Sequence, residues 1–135
     1  MEDALRDEFV PLKLFLGRDR DATRRYRPFW TPTLYFLDPV GHALLDWPGV
    51  IPAGDLPVLL DLGRALVGLR RGRFGEALGL LEGITGDHPE SPFAPEALWW
   101  LGAVRHVTKG DEKGLEETRR KLEERYPDSA AALRV

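Results

Sequence analysis

The sequence predicts an α/β part followed by an all-α part, and three observations support this prediction. Two apolar runs of strand length, residues 9–16 and 33–38, flank a charged segment of helical character. From residue 52 onward, apolar residues recur every three or four positions, which is the period of an amphipathic helix. Within the helical part, two short motifs recur at one and the same interval, which indicates an internal repeat.

The first apolar run has the sequence FVPLKLFL, and Lys13 is its only charged residue. A continuous apolar run of this length is typical of a strand that is buried on both faces. Pro11 is tolerated near the start or at the edge of such a strand, and Gly17 ends the run. We therefore expect a buried first strand at residues 9–16.

The charged segment, residues 19–27, predicts a short helix that Asp19 or Asp21 caps and Pro28 ends. The apolar run at residues 33–38 predicts the second strand. Strands joined through a helix pair in parallel, with a right-handed crossover. The first two strands are therefore expected to form a parallel pair.

A hairpin is expected to follow the second strand. Residues 38–41, Asp-Pro-Val-Gly, have the composition of a turn, and residues 42–49 predict the returning antiparallel strand. A helix then begins near Asp55, with Pro57 in its first turn. This helix is apolar on two sides, which indicates that it is buried between neighbours.

Three further helical patterns follow, at residues 72–89, 94–110 and 111–127. Gly72 at the start of the first pattern recurs as Gly110. Pro-Glu-Ser at residues 89–91 recurs at the same interval as Pro-Asp-Ser at residues 127–129. The helical part therefore contains about one and a half copies of a repeated unit.

Residues 31–49, TPTLYFLDPVGHALLDWPG, resemble the second half of a thioredoxin domain, and the resemblance covers residues 1–70. It implies a cis peptide bond before Pro32 and a loop whose backbone groups meet an extended peptide. The loop residues are Trp30, Thr31, Pro32 and Thr33. The other interpretation of Pro32 is that it only shapes this loop.

Residues 71–135 resemble a tetratricopeptide helical repeat. The residues that carry this resemblance are Gly72, Phe74, Ala77, Leu81, Pro89, Leu101 and Gly102. Within the helix at residues 94–110, Trp99, Ala103 and His106 share the face opposite Trp100. This face is expected either to pack against another helix or to present an exposed aromatic side chain to a partner.

The chain contains no cysteine. The thioredoxin resemblance therefore implies that the Cys-x-x-Cys motif and the strand before it are missing. In that family, the missing strand lies between the strands that match residues 9–16 and 33–38. These two strands are expected either to pair directly or to leave an open edge that a second copy of the chain covers. We expect a homodimer.

Composition argues against several other functions. The net charge is −3, whereas nucleic-acid binders are usually basic. The three histidines, His42, His88 and His106, lack a second ligand at helical spacing, so no metal or other cofactor is expected. No apolar run approaches the ~18 residues of a membrane span. We expect no membrane partner and a cytoplasmic location.

These features favour a non-catalytic protein-interaction module that self-associates and binds an unidentified protein or peptide. Without a thiol, and without a nucleophile elbow or a phosphate-binding loop, the chain shows no catalytic arrangement. One alternative stays open. The chain is then the C-terminal portion of a thiol–disulfide oxidoreductase whose Cys-x-x-Cys segment is encoded upstream of Met1.

Overall fold

The computed structural model describes residues 2–134. In chain order its elements are α1 (Glu2–Glu8), α2 (Arg20–Tyr26), β1 (Thr33–Leu37), β2 (Ala43–Pro48), α3 (Leu56–Arg70), α4 (Phe74–Asp87), α5 (Ala94–Lys109), α6 (Glu112–Arg125) and a C-terminal 3₁₀ turn (Ala132–Arg134). A mixed α/β region thus precedes a helical region, in the predicted order. Among the described helices, none combines the length and the hydrophobicity needed to cross a lipid bilayer.

Contacts divide the chain into two compact units. The first comprises Met1–Tyr35 and Asp46–Val50, and the second comprises Phe36–Leu45 and Ile51–Val135. The second unit therefore includes α3, which the sequence analysis placed with residues 1–70.

The predicted first strand is wrong. Residues 9–16 form neither helix nor strand, and the sheet in the described part of the chain contains only β1 and β2. A strand is held by hydrogen bonds to a neighbouring strand, and the described residues place none beside this segment. The predicted parallel pair is consequently absent from them.

The segment instead turns directly into α2. The N–H of Phe15 donates to Asp19 Oδ2 at 2.6 Å, and the N–H groups of Arg18 and Asp19 both donate to the carbonyl of Phe15. The Asp19 carboxylate therefore binds the residue that precedes the turn and does not cap α2. This local turn competes with extension of the chain into a strand.

The predicted hairpin is confirmed. β1 and β2 form an antiparallel pair, and the N–H of Asp38 donates to the carbonyl of His42 across the turn. Asp38 Oδ1 accepts hydrogen bonds from the N–H groups of Val40 at 2.9 Å and His42 at 2.8 Å. Gly41 adopts a φ of 91°, a conformation that glycine reaches without steric cost. The Asp-Pro-Val-Gly sequence therefore closes the turn.

The helical region repeats at a constant interval along the chain. α3, α5 and the 3₁₀ turn begin at Leu56, Ala94 and Ala132, while α4 and α6 begin at Phe74 and Glu112. Both α3 and α5 carry a proline in the first turn. The repeat found in the sequence thus extends upstream to α3. It comprises two helix pairs, α3–α4 and α5–α6, and the beginning of a third unit.

Two glycines allow close packing within the second unit. A Cβ atom on Gly63 of α3 would overlap the ring of Phe36, which is buried. A Cβ atom on Gly102 of α5 would lie 2.6 Å from Thr118 Cγ2 of α6. Each glycine follows a buried leucine in its helix, so the Leu-Gly pairs mark the points where a neighbouring element approaches most closely.

Candidate binding surfaces

The loop before β1 is held by hydrogen bonds within the first unit. The Thr31–Pro32 peptide bond is cis, as the thioredoxin resemblance implied. Thr33 Oγ1 donates to the carbonyl of Trp30 at 2.6 Å, and the N–H of Gly49 donates to the carbonyl of Pro32 at 2.7 Å. Trp30 nevertheless exposes 62% of its surface. Because the Pro32 carbonyl already binds Gly49, the tryptophan ring is the part of this loop best placed to meet a partner.

A second surface of the first unit is the apolar segment, which we define as residues 10–16. Its large apolar side chains, Val10, Leu12, Leu14, Phe15 and Leu16, are exposed by 96, 76, 44, 47 and 46%. Lys13 and Arg18 place their cationic groups 5.4 and 4.8 Å from the centroid of the Phe15 ring. Single exposed apolar residues are ordinary, but so many in one short stretch indicate an interaction surface.

The helical repeat contains a groove of about 420 Å³, which we call the α5–α6 groove. Its lining includes Trp99, Ala103, His106, Val107, Leu115 and Arg119. The structure therefore brings together all three residues that the sequence analysis assigned to the surface of the repeat. Each of the three is half-buried, so the face neither packs fully against a helix nor lies wholly in solvent.

One end of the α5–α6 groove is built by a rigid aromatic and ionic cluster. Arg134 Nη1 donates to Glu96 Oε1 at 3.0 Å, and its Nη2 donates to Glu96 Oε2. The same guanidinium lies 4.8 Å from the ring centroid of Trp99. Trp100 Nε1 also donates to Glu96, at 2.9 Å, and the two tryptophan rings meet edge to face. These contacts fix Trp99 in its position at the groove.

Charged side chains at the rim of the α5–α6 groove form ion pairs with one another. Arg119 Nε donates to Glu123 Oε1 at 3.1 Å, and Arg119 Nη1 lies 3.8 Å from Glu116. The hydrogen bond and charge of Glu123, followed by the charge of Glu116, raise the pKa of Arg119 above its usual value.

His106, which also lines the groove, has an unsatisfied polar atom. Its Nδ1 is shielded from solvent and has no hydrogen-bond partner among residues 2–134.

The polar residues of the hairpin, Asp38 and His42, stabilise the turn between β1 and β2. The N–H of His42, its imidazole and the N–H of Val40 all bind Asp38, and together they hold the pKa of that carboxyl below its ordinary value. These bonds close the hairpin turn. Within residues 2–134, no group of three or more histidine, aspartate or glutamate side chains could hold a metal ion.

Sequence reasoning missed Glu96 and Arg134. The signal for this pair was present, because the two positions lie 38 apart and therefore occupy equivalent places in successive repeats. Opposite charges at one repeat spacing are the pattern expected of a contact between neighbouring units.

Comparison with known proteins adds no relative. The chain matches no protein-family model, no curated protein sequence and no solved structure. The function must therefore be argued from the two surfaces of the first unit and from the α5–α6 groove.

Proposed function

We propose that the chain is a non-catalytic protein-interaction module that forms a homodimer through the apolar segment of its first unit. The observation that carries the proposal is the exposure of five large apolar side chains within residues 10–16. Their exposed fractions together equal about three fully exposed side chains. Burying that surface is worth roughly 5–9 kcal/mol per protomer.

The backbone of this segment supports pairing with a second strand. It is neither helical nor part of the β1–β2 sheet. A non-helical apolar stretch outside any sheet can pair with a strand of another chain. Residues 10–14 are the part that can do so, because the N–H and the carbonyl of Phe15 already bond within the turn before α2. A second copy of the same segment is the simplest partner, because a two-fold axis places identical surfaces against each other.

Two finer features belong to this proposal. The first is a cysteine-free, thioredoxin-like unit in the α/β part of the chain, and the cis Thr31–Pro32 bond with the hairpin that follows supports it. The sequence predicted that this unit extends to residue 70, but α3 lies in the second unit. The helical region is tetratricopeptide-like, and the recurrence of helix starts at one constant interval supports it. The usual tetratricopeptide period is about 34 residues, so these units are slightly longer.

Leu12→Glu tests the homodimer. Leu12 is 76% exposed and so contributes little to the stability of a single protomer. In a dimer, each copy loses burial worth roughly 1.5–3 kcal/mol, so the substitution should weaken association at least about 100-fold. Sedimentation equilibrium should find a dimer for the native chain and a monomer for the variant at the same micromolar concentration.

Val40→Glu is the matched control, because Val40 is 72% exposed but lies in the hairpin turn of the second unit. This variant should remain a dimer. A native chain that sediments as a monomer, or a Leu12→Glu variant that still dimerises, contradicts the proposal.

A second candidate function follows from the same exposed segment. A strand supplied by a longer polypeptide, with its Cys-x-x-Cys motif, would also cover residues 10–16, and the protein would then be a thiol–disulfide oxidoreductase. The DNA ahead of the Met1 codon distinguishes the two. An in-frame Cys-x-x-Cys in that DNA favours the oxidoreductase, whereas an in-frame stop codon favours the interaction module.

A further inference from the structure

Positive charge is concentrated in the short stretch around α2. Residues 18–27 contain five arginines and two aspartates, which gives this stretch a net charge of +3 in a chain whose net charge is −3. At physiological salt, charges act over a distance of only about 8–10 Å, so a local excess attracts an anionic partner even when the whole chain is acidic. This asymmetry indicates a local site for an anionic partner.

Three of these arginines lie together on α2, and we call them the arginine face. Arg20 and Arg24 are one helical turn apart, and Arg27 follows as the C-cap. All three are exposed, and none of them forms an ion pair with another residue in the described range 2–134. Asp21, the acidic residue within α2, lies about 100° round the helix from Arg20.

Arginines of the helical region, by contrast, mostly form ion pairs with carboxylates. Those that do are Arg64, Arg73, Arg105, Arg119, Arg120 and Arg134. The arginine face therefore carries positive charge that the described part of the chain does not neutralise. An anionic partner can bind these guanidinium groups without first breaking an ion pair.

The opposite side of α2 is anchored to the first unit. The ring centroids of Tyr26 and Tyr35 are 5.5 Å apart, and the Tyr35 hydroxyl donates to the carbonyl of Tyr26 at 3.3 Å. Thr23 Oγ1 donates to the carbonyl of Asp19 at 2.9 Å. Because these contacts hold one side of the helix, the arginine face is turned away from the rest of the first unit.

Arg27 occupies a backbone position that favours glycine. Its φ of 44° and ψ of 55° are left-handed, and it is the only residue other than glycine with a positive φ among residues 2–134. This conformation is sterically unfavourable for arginine but costs glycine nothing. An arginine kept where stability alone favours glycine indicates that its side chain has a function.

Two exposed aromatic side chains follow the arginine face directly. Phe29 exposes 100% of its surface and Trp30 exposes 62%. The Cα atoms of Arg27 and Phe29 are at most about 7.6 Å apart, because two peptide units separate them. Arginines beside exposed phenylalanine and tryptophan are typical of a surface that lies in the interface of an anionic membrane.

We propose that the arginine face, together with Phe29 and Trp30, binds the surface of an anionic phospholipid membrane. The guanidinium groups pair with lipid phosphates, to which arginine donates two parallel hydrogen bonds, and the two rings enter the headgroup region. The lack of a long apolar run led to the expectation of no membrane partner, but a protein that lies on a membrane surface needs no spanning segment.

Phe29 favours a membrane over other anionic partners. Because its ring is fully exposed, the partner must cover the whole of it. A fluid lipid interface closes around a projecting ring without a preformed pocket, whereas a nucleic-acid base stacks on one side of it. This surface shares no residue with the apolar segment, so the inference does not depend on the homodimer.

The test measures co-sedimentation of the full chain with vesicles of one part phosphatidylserine to three parts phosphatidylcholine. Saturable binding is expected, and it should fall steeply at about 1 M salt, where the Debye length is about 3 Å. Arg24→Glu should weaken binding about 25-fold, because each of the two charges changed contributes roughly 5-fold near an anionic surface. Arg71→Glu is the matched control, since Arg71 is exposed in the second unit and the net charge changes equally. It should leave the affinity unchanged.

Two further variants separate binding from folding. Phe29→Ser should weaken vesicle binding about 10-fold, whereas Val107→Ser, which removes an equally apolar and exposed side chain from the second unit, should have no effect. Arg27→Gly should raise the thermal unfolding midpoint, because glycine adopts the left-handed conformation freely, and yet weaken vesicle binding about 5-fold. A purely structural role for Arg27 would not produce this combination.

Four results overturn the inference. They are no binding to the anionic vesicles, equal binding to vesicles of phosphatidylcholine alone, equal weakening by Arg24→Glu and Arg71→Glu, and tighter binding of a fluorescein-labelled oligouridine that Arg24→Glu abolishes. The last would assign the surface to nucleic acid. Arg24→Glu leaves the apolar segment intact and should sediment as the native chain does. A native monomer that binds the vesicles therefore contradicts only the homodimer, and a dimer that does not bind them contradicts only this inference.

Discussion

Gly63→Ala should destabilise the protein, although alanine forms helices better than glycine. Gly63 is buried within α3, and the ring of Phe36 occupies the space that a Cβ atom would fill. Phe36 Cγ would lie 2.7 Å from the new atom. Because the ring is rigid, the whole phenylalanine side chain must move to admit a methyl group.

The magnitude follows from two opposing contributions. Alanine stabilises a helix interior by about 1 kcal/mol relative to glycine. The opposing contribution is the steric conflict: either the core is overpacked, which costs roughly 1–3 kcal/mol, or the ring is expelled, which loses burial worth roughly 1.5–3 kcal/mol. Gly63→Ala should therefore be between about 0 and 2 kcal/mol less stable than the native protein.

Gly79→Ala is the matched control, because it brings the same gain in helix propensity without the steric conflict. Gly79 lies within α4, and a Cβ atom there would meet nothing within 4 Å. This variant should gain about 1 kcal/mol. The two variants should thus differ by roughly 1–3 kcal/mol, which is the packing cost alone. Urea unfolding followed by the helical circular dichroism signal measures the difference. Equal unfolding free energies for the two variants would refute the contact between Phe36 and α3.

Two further predictions concern the hydrogen bonds of two tyrosines and the ionisation of Asp38. Tyr126→Phe removes the bond that the hydroxyl donates to the carbonyl of Pro89 at 2.7 Å, and it should cost roughly 0.5–1.5 kcal/mol of unfolding free energy in urea denaturation. Tyr35→Phe, which removes a longer bond of 3.3 Å, should cost less, and the opposite order would contradict the assignment. The second prediction concerns pH. The folded pKa of Asp38 is lowered, so its contribution to stability is present above the unfolded value of about 3.9 and is lost as pH falls through the folded value. Thermal unfolding measured from pH 6 downward should show a smaller acid loss for Asp38→Asn than for the native chain, and identical profiles would exclude this role.

Local patterns in the sequence predicted the hairpin and the helices well. The turn at Asp38 depends on its own side chain and on Gly41, so its residues are close in the chain. The helices of the repeat follow the apolar period of their own segments. The recurrence of Gly72 as Gly110 indicated a repeat, although sequence reasoning began the repeat at Gly72 and did not assign the predicted helix α3 to it.

The first strand failed because strand formation is not local. The apolar run at residues 9–16 has the composition of a buried strand, but a strand requires a neighbour, and the described sheet provides none. The large apolar side chains of residues 10–16, which predicted burial, are exposed instead. Composition alone does not distinguish a strand buried within its own chain from an exposed apolar stretch outside any sheet.

The sequence by itself determined which segments are helical, where the hairpin turns and that the helical units repeat, because these properties depend on residues within a few positions of one another or on a regular period. Only the tertiary structure decided which faces are covered. It placed Trp99, Ala103 and His106 along one groove and joined Glu96 to Arg134 across a repeat. It also left residues 10–16 outside the sheet. Burial depends on what lies opposite a residue in space, and that is a property of the whole fold.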